Sequence, residues 1–392
     1  MKFSNIGCVV ANDNGKTSGF NHFAWGVAFN KLNDFGSHEL MGAYNYNSSY
    51  LDVWAESANG NTPKKLNDYN TGILYDAQVI VEEPEGSGSY IHPHNRQWSD
   101  TSTGAYGEYQ KRTVNQKGGI NSWDFGFSGA FNNMFYFGAS VGVQSVNYKY
   151  TGTYSEDDTD NITAYEYWDY SEKIRTHGTG VNLKLGLLVK PINFIRLGAA
   201  FHTPTVYSMS DEHYSTVETL FDNGFTDERE SPRIDYDYQL STPMKGILSA
   251  AFIVPGYGLI SFDYESVNYG KCKFHNADWD EADFDVENDA IVEKFQKTNN
   301  FRVGAEGLAG PVSIRAGYAL YGNPLKEYKG NKERQILSLG FGFKGDDIYF
   351  DITGTYHIYQ KDAVLYESRS VTQMYSYDNR YLNVLATFGV RF

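Results

Sequence analysis

Charged side chains recur inside stretches of this chain where every second residue is apolar, and what they can do decides its class. Arg196, Asp263, Glu265, Arg302, Glu306, Arg315 and Asp351 occupy such positions, with His202 and His357 in the same setting. Their mixed signs suit ion-pair networks in a polar interior, although Arg196, Arg302 or Arg315 can equally receive a ligand carboxylate through charge-assisted hydrogen bonds. Catalytic or metal chemistry finds less support. His22, His92 and His94 lack a metal-binding spacing with a partner, and His92-Pro93-His94 reads as a loop. The run Asp278-Trp279-Asp280-Glu281-Ala282-Asp283-Phe284-Asp285 lacks the glycine of a calcium loop and suits a solvated outer loop, where it can bridge to lipopolysaccharide through divalent ions. Nucleophile elbow, phosphate loop and catalytic dyad are all missing. A non-enzyme without cofactor or metal is expected.

The elements that carry those charges are strands. Residues 381–392 place Leu382, Val384, Ala386, Phe388, Val390 and Phe392 on one face, with Asn383, Thr387, Gly389 and Arg391 on the other. The same period of two runs through 347–361, 311–322, 298–308, 258–270, 243–254, 194–207, 173–190, 134–150 and 120–131, and 333–344 also reads as a strand. Short connectors rich in Gly, Pro and Asn (Asn132-Asn133, Pro191-Ile192-Asn193, Pro255-Gly256, Gly310-Pro311, Gly345-Asp346) take turns with long polar ones at about 151–171, 209–232, 271–297, 323–332 and 362–377. Strands with an apolar face and a charged one, joined alternately by short and long connectors, specify a transmembrane antiparallel β-barrel. Lipid offers no hydrogen bonds, so a closed sheet is one of only two ways to cross it. Tyr at many strand ends fits aromatic girdles.

Composition agrees. The chain has 392 residues, 39 Gly, 32 Tyr, 25 Phe and a formal net charge of −15, which argues against both disorder and nucleic-acid binding. Cys8 and Cys272 make no disulfide framework. A single barrel domain over 1–392 is expected, with strands also near 3–11 and 18–31 and a long extracellular excursion at 33–118. The excursion contains a short helix suggested by Leu51, Val53, Trp54, Ala55 and Ala58 and capped by Ser49. The count is about 13 strands. Single-chain bacterial barrels have even numbers, so a first strand and an export signal are expected upstream of this sequence.

The chain resembles the FadL-type outer-membrane transporters of long-chain fatty acids and hydrocarbons, in the form found in Bacteroidetes-like bacteria. The resemblance is carried by Leu51-Asp52-Val53-Trp54-Ala55-Glu56-Ser57-Ala58-Asn59-Gly60, Phe201-His202-Thr203-Pro204, Thr242-Pro243-Met244, Phe262-Asp263-Tyr264, Gly304-Ala305-Glu306, Arg315-Ala316-Gly317-Tyr318 and the terminal Phe392. It implies a 14-stranded barrel in the bacterial outer membrane with an N-terminal plug, a segment absent from this sequence. It also implies uptake of hydrophobic compounds such as fatty acids, captured in an outer groove formed by the excursion and the 151–171 connector. The ligand then passes through the lumen or sideways through the wall. Groove contacts are expected at Tyr50, Leu51, Trp54 and Trp98, and lumen contacts at Arg196, His202, Asp263, Glu265, Arg302, Glu306, Arg315 and Asp351. Pro204 and Pro243 are candidate breaks in the wall, since proline removes a ladder donor, and can equally be strand ends or bulges. The expected partners are hydrophobic small molecules, outer-membrane lipid and lipopolysaccharide, with the chain a monomer. The alternative is a haem- or ligand-binding outer-membrane receptor or adhesin without conduction.

Overall fold

The computed structural model describes residues 3–15, 18–92, 108–159, 163, 165–277, 284–326, 333–367 and 372–390. It is 71% strand and 9% helix. The strands are β1 (Asn5–Asp13), β2 (Phe20–Asp34), β3 (Ser37–Asn45), β4 (Val81–Glu82), β5 (Tyr90–Ile91), β6 (Glu108–Phe131), β7 (Phe135–Asp157), β8 (Tyr165–Ile192), β9 (Ile195–His202), β10 (Val206–Phe221), β11 (Thr226–Glu230), β12 (Ile234–Ser241), β13 (Lys245–Val254), β14 (Gly258–Asn268), β15 (Lys273–Asn276), β16 (Lys297–Ala309), β17 (Val312–Tyr321), β18 (Arg334–Lys344), β19 (Ile348–Glu367) and β20 (Thr372–Val390). The α-helices are α1 (Tyr50–Ala58), α2 (Thr71–Asp76) and α3 (Asp285–Lys294).

Antiparallel ladders join these strands into one curled wall. β2 and β3 both pair with β6, β9 and β10 both pair with β8, β12 pairs with β10 and β15, and β13 pairs with β9 and β14. β2 with β3, β9 with β10, β12 with β13 and β14 with β15 are therefore single interrupted strands, and the wall has 13 positions among the described residues, matching the sequence count. At its upper part the early and late strands approach each other, and Lys361 Nζ on β19 lies 3.1 Å from Glu39 Oε1 on β3. There, too, Arg112 Nη1 on β6 donates to the carbonyl of Val364 on β19 at 2.9 Å.

The outer face is apolar. Trp25, Trp123, Phe125, Val141, Val181, Leu187, Phe252, Ile260, Ile314, Leu339, Phe350 and Phe388 are all exposed. In an aqueous fold such a belt would be a large unpaid hydrophobic surface; around a barrel it is the face that lipid covers. At one end the connections are tight. Asn132 and Asn133 hold φ of 55° and 53°, the left-handed pair that a two-residue hairpin turn requires. Gly256 and Gly310 supply the same freedom at φ 81° and 61°. No helix among the described residues is long and apolar enough to cross a membrane, which says nothing of a barrel.

At the other end the wall rises further than the sequence reading expected. The connectors read at 151–171, 209–232 and 362–377 are largely strand: β7 runs to Asp157, β8 begins at Tyr165, β10 and β11 form a hairpin and β19 runs to Glu367. The excursion read at 33–118 shortens to 46–107, because β3 and the first half of β6 pair with each other. Above the lipid both faces of a strand can be polar, so alternation in hydrophobicity fades while the ladder continues.

Candidate functional site

Two regions combine chemistry with shape, a cap over one mouth of the barrel and the lumen below it. The cap is built around α1. Ser49 is its N-cap, accepting from the Leu51 amide at 3.0 Å, while Asp52 accepts from the Ser49 amide at 2.8 Å, completing a capping box. The other Asp52 oxygen lies 2.8 Å from His92 Nε2, so His92 is buried against the helix start. His94 and Trp98 lie outside the described residues. The helix is tied to the wall by Glu156, a buried residue of β7. Its carboxylate accepts from Ser49 Oγ at 2.6 Å, the Tyr50 amide at 2.9 Å, Gln110 Nε2 at 2.9 Å, Tyr154 Oη at 2.5 Å and Trp168 Nε1 at 3.2 Å. Burying a carboxylate is tolerable only when its lone pairs are met in this way.

Around that anchor lies an apolar cluster of Leu51, Ala55, Leu74, Ile80, Trp168, Val217 and Tyr366. Leu51 is completely buried and holds the helix down instead of lining a surface. Tyr50 and Trp54 are half-buried and turn toward the wall. The Tyr50 ring stacks on Tyr366 at 5.4 Å and meets Tyr154 edge-on at 4.8 Å, and Trp54 lies 5.5 Å from Tyr170. The indole Nε1 of Trp54 is buried with no hydrogen bond among the described residues. Burial pushes the Tyr170 phenol up to about 12, and burial beside Glu156 holds Tyr154 well above the usual tyrosine range.

The lumen is divided into two unlike arcs. On β14, β16, β17 and β19 the charged inward side chains are already paired, and between them Gly304, Gly317, Ser338 and Gly340 border a further space of ≈ 450 Å³. Arg302 lies 3.6 Å from both Asp263 and Glu265, Asn300 Nδ2 donates to Glu265 at 2.8 Å, and Ser249 donates to Asp263 at 2.5 Å. Arg315 bridges Glu306 and Asp351. Arg196 spends one nitrogen on the carbonyls of Ile192, Asn193 and Ile195 in its own turn. On β2, β6–β9 and β13 the inward residues are small: Gly26, Gly126, Ser128, Gly138, Gly186 and Ala200 border spaces of ≈ 590 and 470 Å³. A Cβ added at Gly186 would meet nothing within 4 Å.

The two arcs meet at a basic row that the sequence reading resolved only in part. Lys184, His202 and Lys245 face one another in register across β8, β9 and β13. Lys184 is paired with Asp124 at 2.6 Å, whereas Lys245 has no ion pair among the described residues. Directly beyond this row two adjacent strands break. Pro204 separates β9 from β10, and Pro243 separates β12 from β13. The breaks lie side by side: the Thr205 amide donates to Thr242 Oγ1 at 2.9 Å, and the Thr242 amide donates to the Thr205 carbonyl at 2.9 Å. Glu156, Gln110, Tyr366 and Lys245 were not singled out from sequence. The signal available was the tyrosine alternation of Tyr148, Tyr150 and Tyr154, which marks β7 as a continuing strand.

These features define a transmembrane antiparallel β-barrel with a helical cap on one mouth and a lumen whose charged side chains are gathered on one arc. Among solved structures the chain is similar to the toluene transporter TodX of Pseudomonas putida, with TM-score 0.47 and 11% identity over 99% of this chain and 88% of that one. It is also similar to the monoaromatic hydrocarbon channel CymD, with TM-score 0.46 and 11% identity over 99% and 87% of the two chains. A FadL homologue of Pseudomonas aeruginosa gives TM-score 0.45 and 12% identity over 72% and 73%. No family model and no curated protein matches the sequence. The fold assignment rests on the ladders and the exposed apolar belt described above.

Proposed function

We propose that this barrel sits in a bacterial outer membrane, cap outward, and takes up hydrophobic compounds, long-chain fatty acids among them. The observation that carries the reading is the small-residue arc of the lumen, which leaves an open, weakly polar track beside a rigid charged arc. An apolar chain moving from water to that track gains about 0.8 kcal/mol per CH₂. Tyr50 and Trp54 form the first aromatic contact under the cap. From the cap a ligand meets the basic row first, where Lys245 and His202 receive a carboxylate while the tail lies beyond it along Gly186, Gly198 and Ala200. Arg302 and Arg315 do not serve this role, because their guanidinium groups are held by carboxylates already. The paired proline breaks interrupt two neighbouring strands side by side, and a ligand leaving sideways passes there.

The test is uptake by Gram-negative cells expressing the chain. Fatty acid and an uncharged hydrocarbon of similar length should both enter faster than in cells lacking it. Exchanging Lys245→Gln with His202→Gln should slow the fatty acid about tenfold, the worth of one charge-assisted contact, and leave the hydrocarbon unchanged. Equal uptake with and without the barrel would end the channel reading. Equal slowing of both compounds would end the assignment of the basic row.

A further inference from the structure

A second basic row lies on the outside of the wall, where the proposed channel gives it no task. Lys117 on β6 is the direct cross-strand partner of Lys149 on β7, and Lys149 is the direct partner of Arg175 on β8. All three are exposed. Their parity is that of Trp123, Val143 and Val181, which are themselves aligned in register on the exposed apolar face. The row therefore points outward. Lys173 and His177 share this face and flank Lys149 diagonally, through the pairs Thr151–Lys173 and Asn147–His177.

Like charges directly opposite one another destabilise a sheet, and this chain carries 48 acidic residues against 33 basic ones from which partners could have been drawn. Among the described residues, acids reach only the edge of the row. Glu212 lies 3.4 Å from Arg175 and is shared with Arg233 at 3.2 Å. Lys173 is placed over the Tyr214 ring at 5.0 Å. Lys117 and Lys149 have no ion pair or side-chain hydrogen bond among the described residues.

The height of the row identifies what would neutralise it. Each of its members stands six residues beyond the apolar register Trp123–Val143–Val181. At about 3.3 Å per residue and a tilt of about 40°, that is roughly 15 Å above the last apolar layer of these three strands on the cap side. That level holds neither acyl chains nor bulk water but the sugars of the outer leaflet. We infer that Lys117, Lys149 and Arg175 form a docking site for a phosphorylated glycolipid headgroup, the lipopolysaccharide of the surrounding leaflet, whose anionic groups replace the missing acidic partners. The site fixes the depth and rotation of the barrel in the leaflet. The inference rests on the outer-membrane reading above.

The test uses the full chain folded in a zwitterionic detergent, with purified lipopolysaccharide and its dephosphorylated form as probes, and native mass spectrometry to count bound lipid. The combined variant Lys117→Gln, Lys149→Gln, Arg175→Gln should bind lipopolysaccharide about a hundredfold more weakly, each basic side chain near an anionic headgroup layer being worth about a factor of five. A control removing the same charge from the exposed Lys64, Lys65 and Lys271 should bind as the parent does. Dephosphorylated lipid should bind the parent as weakly as intact lipid binds the triple variant. Equal loss in the control, or undiminished binding by the triple variant or of the dephosphorylated lipid, would overturn the site. The heat-induced shift in gel mobility of a folded barrel is read on every sample. If the parent lacks it, the barrel reading fails; if the parent has it and the lipid result is negative, only the docking site fails.

Discussion

The hydroxyl of Ser49 donates to Oε2 of Glu156 at 2.6 Å, joining the N-cap of α1 to a strand more than a hundred residues away. This contact makes the helix start a fixed part of the wall. The same carboxylate also collects the Tyr50 amide, Gln110, Tyr154 and Trp168, so its loss is felt by several elements at once. Glu156→Ala should leave those donors buried and unmet, loosening the cap by about 3 kcal/mol or more. Glu156→Gln should cost less, because it keeps one acceptor oxygen but turns donors against donors. Hydrogen exchange of the α1 amides in detergent checks both. Protection unchanged from the parent in the Ala variant would mean that the cap is held by the apolar cluster alone.

Filling the small-residue arc tests whether the lumen carries the ligand. Gly186 has nothing within 4 Å of an added Cβ, and Gly126 meets only Ser140 Cβ and the Ala139 carbonyl at 3.9 and 4.0 Å. Leucine at either position has room to point into the lumen without displacing backbone. Gly186→Leu and Gly126→Leu should therefore fold normally, keep their heat-modifiable mobility and lower hydrophobic uptake several-fold, the pair together more than either alone. Unimpaired uptake by the folded double variant would place the ligand path elsewhere.

The contrast between these two regions explains what the sequence discloses. Lipid-facing alternation is legible because every second residue must be apolar, so the strands around Phe350 and Phe388 declare themselves and the wall count follows. The charges at Arg302, Glu306, Arg315 and Asp351 declare their face by the same parity. The cap does not, because Glu156, Gln110 and Tyr366 come from three different strands whose polar character resembles that of a loop. Lys245 is equally silent in sequence: its meaning depends on register with His202 and Lys184, and register is a property of pairing. Leu51 shows the opposite error, since an apolar residue on a short surface helix reads as a ligand contact when packing has already used it.

The tyrosines of the cap give a pH signature. Burial raises the Tyr170 phenol to about 12, above the ordinary value of 10.0. The neutral form is thus favoured by the folded cap, and its contribution is fully present below pH 10 and is lost as pH rises from there through about 12. Alkaline difference spectra should show Tyr170 ionising late, together with cap loosening detected as proteolytic cleavage between 59 and 92. Tyr170→Phe should lower the late-titrating amplitude by one phenol, leaving that of the other raised tyrosines such as Tyr154 and Tyr167, and shift cap loosening to higher pH. A Phe variant with the same alkaline profile as the parent would assign the transition to another group.

Between the ladders on either side, the breaks at Pro204 and Pro243 are bridged by hydrogen bonds between Thr205 and Thr242. Hydrogen-bonded antiparallel partners lie at about the Cα separation that a disulfide spans. Cysteines at 205 and 242, with Cys8 and Cys272 exchanged for serine, should form a disulfide that staples this part of the wall. If ligand leaves sideways here, oxidation should stop uptake of both fatty acid and hydrocarbon, and reduction should restore it in the same cells. Oxidised cells that still take up both compounds at the parent rate would show that the wall stays shut at these prolines and that the ligand travels the full length of the lumen. Lumen filling at Gly186 and stapling at 205 and 242 then separate the two routes: Gly186 lies on the far side of the basic row from the cap, whereas the prolines lie on its near side, so an axial path responds to the glycine substitution and a sideways exit to the staple.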